Sequence, residues 1–259
     1  MDARDHRLTG LLDVLRFENG ATISDLAARL GVSAMTVRRD LSILERQKLV
    51  RILHGSVIFN PAGTTGDGKT EYSLSAAETR HAEEKRRIGR AAASLIKADE
   101  VILIDTGTTT QYVAEFLPIG VHFTVICYNL NILLEATKLK DVEILFAGGY
   151  YHDNTAMFVS PEGIQLVRNN RAGTAFVSAA GVSPRLGLTC ANAYETETKR
   201  AAIGSSLHKV LLADSSKFGR VQPYHFADLS EFDTIITDTG IDERYRKELR
   251  KMGVEVIEA

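Results

Sequence analysis

Leu8, Leu11, Leu12 and Leu15 recur at intervals of three and four, which predicts one apolar stripe on a helix over about residues 5–18. Asn19-Gly20 stops it. Ile23, Leu26, Ala27 and Leu30 define a short second helix, with Thr22 or Ser24 at its start. Gly31 breaks that helix in a tight turn, and Ser33 is a good N-cap for a third, Ala34 to about Gln47. Two β-rich runs follow, Leu49–Leu53 and Ser56–Phe59, joined by His54-Gly55 as a small hairpin. Residues 60–70 have no hydrophobic period and several turn formers, so they read as a linker.

Beyond the linker, strands and helices alternate. A helical stretch covers about 76–96. Val101–Ile104, Phe123–Tyr128, Val142–Ala147, Thr174–Ala180, Lys209–Ala213, Thr234–Thr237 and Val254–Ile257 read as strands, with helices to about Leu117, near 130–139, over about 195–206 and before the last strand. Short runs apolar on both faces, alternating with helices, predict a mostly parallel sheet covered on both sides. The expected architecture is α/β: a winged helix-turn-helix over residues 1–59, a linker over 60–72, and a larger, mostly parallel α/β domain over 73–259.

Composition narrows the class. The 259 residues are 44% hydrophobic and 25% charged with a net charge of -2, which argues against disorder, collagen or a coiled coil. The charged N-terminus leads into no apolar signal core, and no apolar run approaches the roughly 20 residues that span a bilayer. Cys127 and Cys190 lie far apart without CxxC spacing, which speaks against a disulfide framework or a cysteine zinc site. A cytoplasmic protein without metal or cofactor is expected. Residues 1–60 carry nine Lys or Arg against seven Asp or Glu, and the remainder 22 against 26. That asymmetry suits a phosphate-binding N-terminus on an acidic body.

The third helix sharpens this. On a helical wheel Val37, Leu41 and Leu44 share one face and should pack inward. Met35, Thr36, Arg39 and Arg46 then point outward, with Arg38 and Ser42 on the flanks. Such a face fits a DNA major groove, where Arg pairs with guanine edges or grips phosphate and Ser33 or Thr36 bonds either. Arg51 and His54 at the hairpin can reach the adjacent backbone. A solvated charged face serving dimerisation is the alternative.

Ser33-Ala-Met-Thr-Val-Arg-Arg-Asp-Leu-Ser-Ile-Leu-Glu45, continuing to Arg51-Ile-Leu-His-Gly55, resembles the helix-turn-helix signature of DeoR-type repressors. The chain departs from it at Ser56-Val57, where that family usually has glycine and alanine. The resemblance implies a partner, double-stranded operator DNA.

Polar and glycine-rich segments fall at predicted strand ends, where an open parallel sheet forms its ligand crevice. Asp105-Thr106-Gly107-Thr108-Thr109-Thr110 joins a strand to a helix: Gly107 permits a tight path, the threonines offer hydroxyls, and the helix start presents N–H groups to an anion. Neither a Walker loop nor GxGxxG is present, which disfavours nucleotides. Tyr128 and Asn129, Gly148 and Gly149 with His152 and Asn154, Gly181, Glu195 and Lys199, Asp214 and Lys217 are candidates to converge there. Carboxylates and Asn suit sugar hydroxyls, and Lys suits phosphate. Each also has a plainer reading: Glu195 and Lys199 fit an i,i+4 surface pair, Asp214–Lys217 a capping turn, and His152 a solvated loop.

Here too the chain resembles the DeoR family, through Glu84-Lys85, Asp105–Thr109, Ala147-Gly-Gly149, Lys199-Arg200 and Asp214-Ser-Ser-Lys-Phe-Gly219, and more closely through Phe123–Asn131, Ala147–His152 and Ser178–Val182. The resemblance implies a sensor domain of the ribose-5-phosphate isomerase-like, phosphosugar-binding type. It also implies a repressor released by a phosphorylated sugar, with deoxyribose-5-phosphate the expected effector. A homo-oligomer is expected because one small DNA reader gives limited specificity and two would pair for two half-sites. A sugar-phosphate isomerase with a DNA-binding appendage is the rival, since Asp105, Glu195 or Asp214 can supply a base. No dedicated acid/base pair is legible, so no catalytic residue is assigned.

Overall fold

In the computed structural model the described residues are 3–18, 20–53, 55–59 and 81–259. The expected linker over 60–72, the start of the second domain at residue 73 and the hairpin residue His54 lie outside them.

The N-terminal module runs α1 (Ala3–Glu18), β1 (Gly20–Thr22), α2 (Ile23–Leu30), α3 (Ala34–Arg46), β2 (Val50–Leu53) and β3 (Ser56–Phe59). Three helix boundaries have a chemical cause. The Thr22 hydroxyl accepts the Asp25 amide at 3.0 Å and starts α2, and Gly31, at φ 64°, ends it in a left-handed turn. Ser33 then caps α3 by accepting the Thr36 amide at 3.1 Å. Leu11, Leu15, Leu26, Val37, Leu41, Leu44, Val50 and Val57 are buried together as one core. The wing has three antiparallel strands rather than two, in the order β1-β3-β2. Gly20 ends the helical period, but the next residues stay extended because Ala21, fully buried, pairs with Val57.

The C-terminal body begins with α4 (Ala82–Ala93), shorter than the stretch expected over 76–96 within its described part. It continues β4 (Val101–Ile104), α5 (Thr110–Glu115), β5 (Phe123–Cys127), α6 (Leu130–Ala136) and β6 (Val142–Phe146). A two-stranded hairpin follows, β7 (Tyr150–His152) and β8 (Met157–Val159), then α7 (Pro161–Asn169) and β9 (Ala172–Ser178). β10 (Gly181–Ser183) and β11 (Gly187–Cys190) lead to α8 (Glu195–Gly204) and β12 (Ser206–Leu212). The chain ends in β13 (Tyr224–Ala227), β14 (Thr234–Thr237), α9 (Glu243–Lys251) and β15 (Glu255–Glu258). The pattern missed β7, β8, α7, β10, β11 and β13.

Seven strands form a wholly parallel sheet, ordered β15-β14-β12-β9-β4-β5-β6. Ile88, Val113 and Ile132 seal α4, α5 and α6 against one face, and Ile164, Ala202 and Leu249 seal α7, α8 and α9 against the other. With both faces covered, the strands are apolar throughout, which is why they read as continuous hydrophobic runs. Strand order reverses between β4 and β9, so their C-terminal ends open a crevice at the topological switch point. β10, β11 and β13 make a small antiparallel sheet beside it. Among the described residues no helix is long and apolar enough to cross a membrane.

Candidate functional site

Two surfaces carry the candidate residues. On α3, Val37, Leu41 and Leu44 are buried as expected, while Met35, Arg38, Arg39, Ser42 and Arg46 are exposed. Thr36 is half-buried, and its hydroxyl lies 2.9 Å from that of Ser33, which also holds the Thr36 amide. The Ser42 hydroxyl donates to the Arg38 carbonyl at 2.8 Å, and Arg46 Nε to the Ser42 carbonyl at 3.2 Å. Arg51 is exposed on β2. Asp40 escaped the pattern: it is buried on the inner face, where Arg7 Nε of α1 donates to it at 2.8 Å and Arg4 stands 3.7 Å away. An Asp after two arginines looks like part of a charged face, and nothing local shows that it locks α1 to α3.

The second surface is the crevice at the switch point, open to solvent. Thr106, Gly107, Thr108 and Thr109 from the β4 loop line it with Thr155, Ser178–Ala180, Ala191, Glu195, Lys199 and Lys217. Gly107 is required by close approach: a Cβ there would lie 2.2 Å from Ser178 Oγ. That hydroxyl donates to the Thr106 carbonyl at 2.7 Å, stitching the β4 loop to the end of β9.

Below the floor lies a buried charge cluster. Lys199 Nζ pairs with Asp105 Oδ2 and donates to the Ser178 carbonyl at 3.1 Å. Asp105 also accepts the Tyr128 hydroxyl at 2.6 Å and the Ser178 amide at 2.9 Å. Burial alone lowers the Lys199 pKa, but attraction to Asp105 and Glu195 outweighs it, so the ammonium is held charged above its usual range. Burial likewise raises Tyr128, whose hydroxyl therefore stays a donor to Asp105. Glu195 is raised by burial, partly countered by Lys199 and by bonds from the Asn192 amide and side chain at 3.1 and 2.8 Å. Cys127 and Cys190 are free thiols pushed by burial to about 12 and about 11, and so stay protonated at neutral pH.

Of the expected crevice residues, Thr106, Gly107, Thr108, Thr109, Glu195, Lys199 and Lys217 line it. The others support it instead. Asp105 and Tyr128 lie beneath, while Asn129 donates to Thr106 Oγ1 at 2.8 Å and caps α6. Asp214 is fully buried; it caps the turn at 215–217 and stands 4.0 Å from Lys217 Nζ. The Gly148 carbonyl accepts Ser160 Oγ at 3.1 Å, and Gly149 gives room to Val159, whose carbonyl a Cβ there would meet at 2.5 Å. Gly181 starts β10, just past Ala180. His152 is no solvated loop residue: its ring stacks on Tyr194 at 3.7 Å, and Tyr194 donates to Asn154 at 2.7 Å, clasping the β7–β8 hairpin over the crevice edge. Thr155, Ser178, Ala179, Ala180 and Ala191 were missed; alanines carry no chemical signal, though Ser178 stood at a strand end. Glu195 and Lys199 are buried, so their i,i+4 spacing is not a surface pair. Among the described residues no three His, Cys, Asp or Glu side chains gather as metal ligands do.

Two family descriptions match the chain: the DeoR-like helix-turn-helix domain over residues 7–62 and the DeoR C terminal sensor domain over 80–239. The chain belongs to the DeoR family. The deoxyribose operon repressor of Escherichia coli K12 is 34% identical over 254 residues, 98% of each chain. The HTH-type transcriptional repressor GlcR of Bacillus subtilis is 31% identical over 254 residues, 98% of this chain and 96% of that one. Ribose 5-phosphate isomerase A of Methanocaldococcus jannaschii superposes with a TM-score of 0.39 at 16% identity, covering 53% of this chain and 55% of that one. This DeoR-family chain is a transcriptional repressor, not an enzyme, and its helix-turn-helix is the operator-binding part.

Proposed function

We propose that this repressor senses a phosphorylated sugar in the switch-point crevice, that deoxyribose-5-phosphate is its inducer, and that it controls deoxynucleoside or sugar catabolism as a cytoplasmic homo-oligomer without a cofactor. The observation that carries the reading is the crevice lining. Lys217 brings an ammonium to the crevice beside that of Lys199, which Asp105 holds at the floor, and the hydroxyls of Thr108 and Thr109 can bond phosphate oxygens. α5 has only six residues, so loop hydroxyls and lysines rather than a helix dipole carry the anion attraction. Glu195, which also lines the crevice, is left to meet sugar hydroxyls. The choice of deoxyribose-5-phosphate rests on similarity to the deoxyribose operon repressor, which spans 98% of both chains.

A route for release is supported by the β10–β11 hairpin. Ala180 and Ala191, at its base, line the crevice, and the Gly219 amide beyond Lys217 donates to the Val182 carbonyl at 2.9 Å. At its tip Arg185 Nη2 donates to Asp25 of α2 at 3.2 Å, and Leu186 packs on Gly20 of β1. A ligand that moves the base thereby tilts the module that holds α3. Two modules on a homo-oligomer span two half-sites, and such a tilt spoils their spacing.

Calorimetric titration with deoxyribose-5-phosphate, ribose-5-phosphate, deoxyribose and inorganic phosphate tests the ligand. Wild type should prefer deoxyribose-5-phosphate, and Lys217→Ala or Thr108→Val should weaken it about tenfold or more while operator binding persists. Normal affinity in both variants would mean that the ligand sits elsewhere. Arg185→Glu should bind sugar normally and lose its effect on DNA.

A further inference from the structure

We propose that Met35 is a specificity-determining residue of the operator interface, reading the C5-methyl group of a thymine in the major groove. Three observations lead there. First, among the described residues of the N-terminal module Met35 is the one large apolar side chain left exposed, at 63%. Of the other large apolar groups of α3, Val37, Leu41 and Leu44 are buried and Ile43 is half-buried. At about 100° per residue, Met35 stands opposite Leu44 and on one ridge with Arg38, Arg39, Ser42 and Arg46. It is therefore at the centre of the outward face rather than at an edge where packing would explain it.

Second, the polar groups around it are largely engaged within the helix. The Ser33 and Thr36 hydroxyls hold each other at 2.9 Å and cap the first turn. The Ser42 hydroxyl is turned back onto the Arg38 carbonyl at 2.8 Å. Reading bases with these hydroxyls would cost the cap or the back-bond. Met35 has no such tie.

Third, Met35 lies in the first turn of α3, the end from which recognition helices touch base edges. A methionine side chain is flexible, polarisable and without a strong hydrogen-bonding group. The thymine C5-methyl is the one apolar group that the major-groove edges present. Water leaves both surfaces on contact, and neither gives up a hydrogen bond. Arg38 and Arg39, one turn further on, supply phosphate or guanine contacts, so the ridge combines one apolar probe with three cations, Arg46 included.

The consequence is discrimination of thymine from cytosine or uracil at one position of each half-site. Deleting one methyl group from the contact should weaken binding about fourfold, and about fifteenfold when two half-sites are engaged. The test uses the full-length chain without any sugar phosphate, so it is independent of the effector reading. Duplexes enriched by the wild-type protein from a random pool are resynthesised with deoxyuridine in place of thymidine. Wild type should bind the thymidine duplex more tightly by those factors. Met35→Ala should bind both alike, and a pool enriched with it should lose the preference for thymine over cytosine at that position. Comparing the two proteins on both duplexes cancels any change that uracil makes to DNA shape. Met35→Gln, which keeps the length and adds a polar tip, should also lose discrimination, and circular dichroism melting checks that both variants fold. Equal binding of both duplexes by wild type, or undiminished discrimination by both variants, overturns the assignment.

Discussion

Replacing Lys199 by methionine removes a charge from the floor of the sensor domain while keeping chain length and most of the volume. In the wild type its ammonium is 1% exposed and meets Asp105, the Ser178 carbonyl at 3.1 Å and the face of Phe226 at 5.2 Å. Without it, Asp105 keeps the Tyr128 hydroxyl at 2.6 Å and the Ser178 amide at 2.9 Å, but loses its paired cation. A buried pair broken from one side costs about 3–5 kcal/mol, because the remaining charge stays desolvated. For a domain of this size that lowers Tm by about 6–20 °C. Adding Asp105→Asn to Lys199→Met removes the stranded charge and leaves an acceptor for Tyr128 or Ser178, so the double variant should recover more than half of the loss. Urea and thermal unfolding of wild type, single and double variants decide it. A single variant as stable as wild type, or a double variant no better than the single, would refute the buried-pair account. Neither variant should bind a sugar phosphate, since both lack one of the crevice's two lysines.

Glu195→Gln tests the pH dependence. The folded pKa of Glu195 lies above its ordinary 4.5, so its favourable contribution is complete below that value and is lost as pH rises through the raised pKa. Urea midpoints measured from pH 4.5 upward should therefore favour the variant increasingly; a constant difference contradicts the buried-carboxyl reading. Gly107→Ala drives a Cβ to 2.2 Å from Ser178 Oγ and should cost about 1–3 kcal/mol while abolishing calorimetric sugar binding. Asp40→Ala unties α1 from α3, and because Arg7 and Arg4 are partly solvated the loss should be only about 1–2 kcal/mol. Thermal melts should show that loss in the N-terminal module, with weakened operator binding and unchanged sugar affinity.

How much of this was legible follows from where the determinants sit. The N-terminal module is written locally: Ser33, Gly31 and the Val37-Leu41-Leu44 spacing lie within a few residues of what they specify. The parallel strands were legible because burial on both faces makes them uniformly apolar. The β7–β8 and β10–β11 hairpins were not, since three- or four-residue strands leave no period. α7 did carry a start signal, Ser160-Pro161 before Ile164 and Val167. In the crevice, strand-end position marked Thr106–Thr109 and Lys217, which line it. It could not separate them from Asp105, Tyr128, Asn129 and Asp214, which lie under the floor. That distinction depends on partners distant in sequence; Lys199 meets Asp105 across 94 positions. Asp40 illustrates the same limit, since its partner Arg7 lies on another helix.

The most direct test of the central claim is binding of the full-length protein to its own upstream promoter DNA, at a stated salt concentration, with and without deoxyribose-5-phosphate. The account predicts specific binding that this sugar phosphate abolishes, with ribose-5-phosphate weaker and unphosphorylated deoxyribose weaker still. Specific binding that no phosphorylated sugar alters would contradict the sensor assignment.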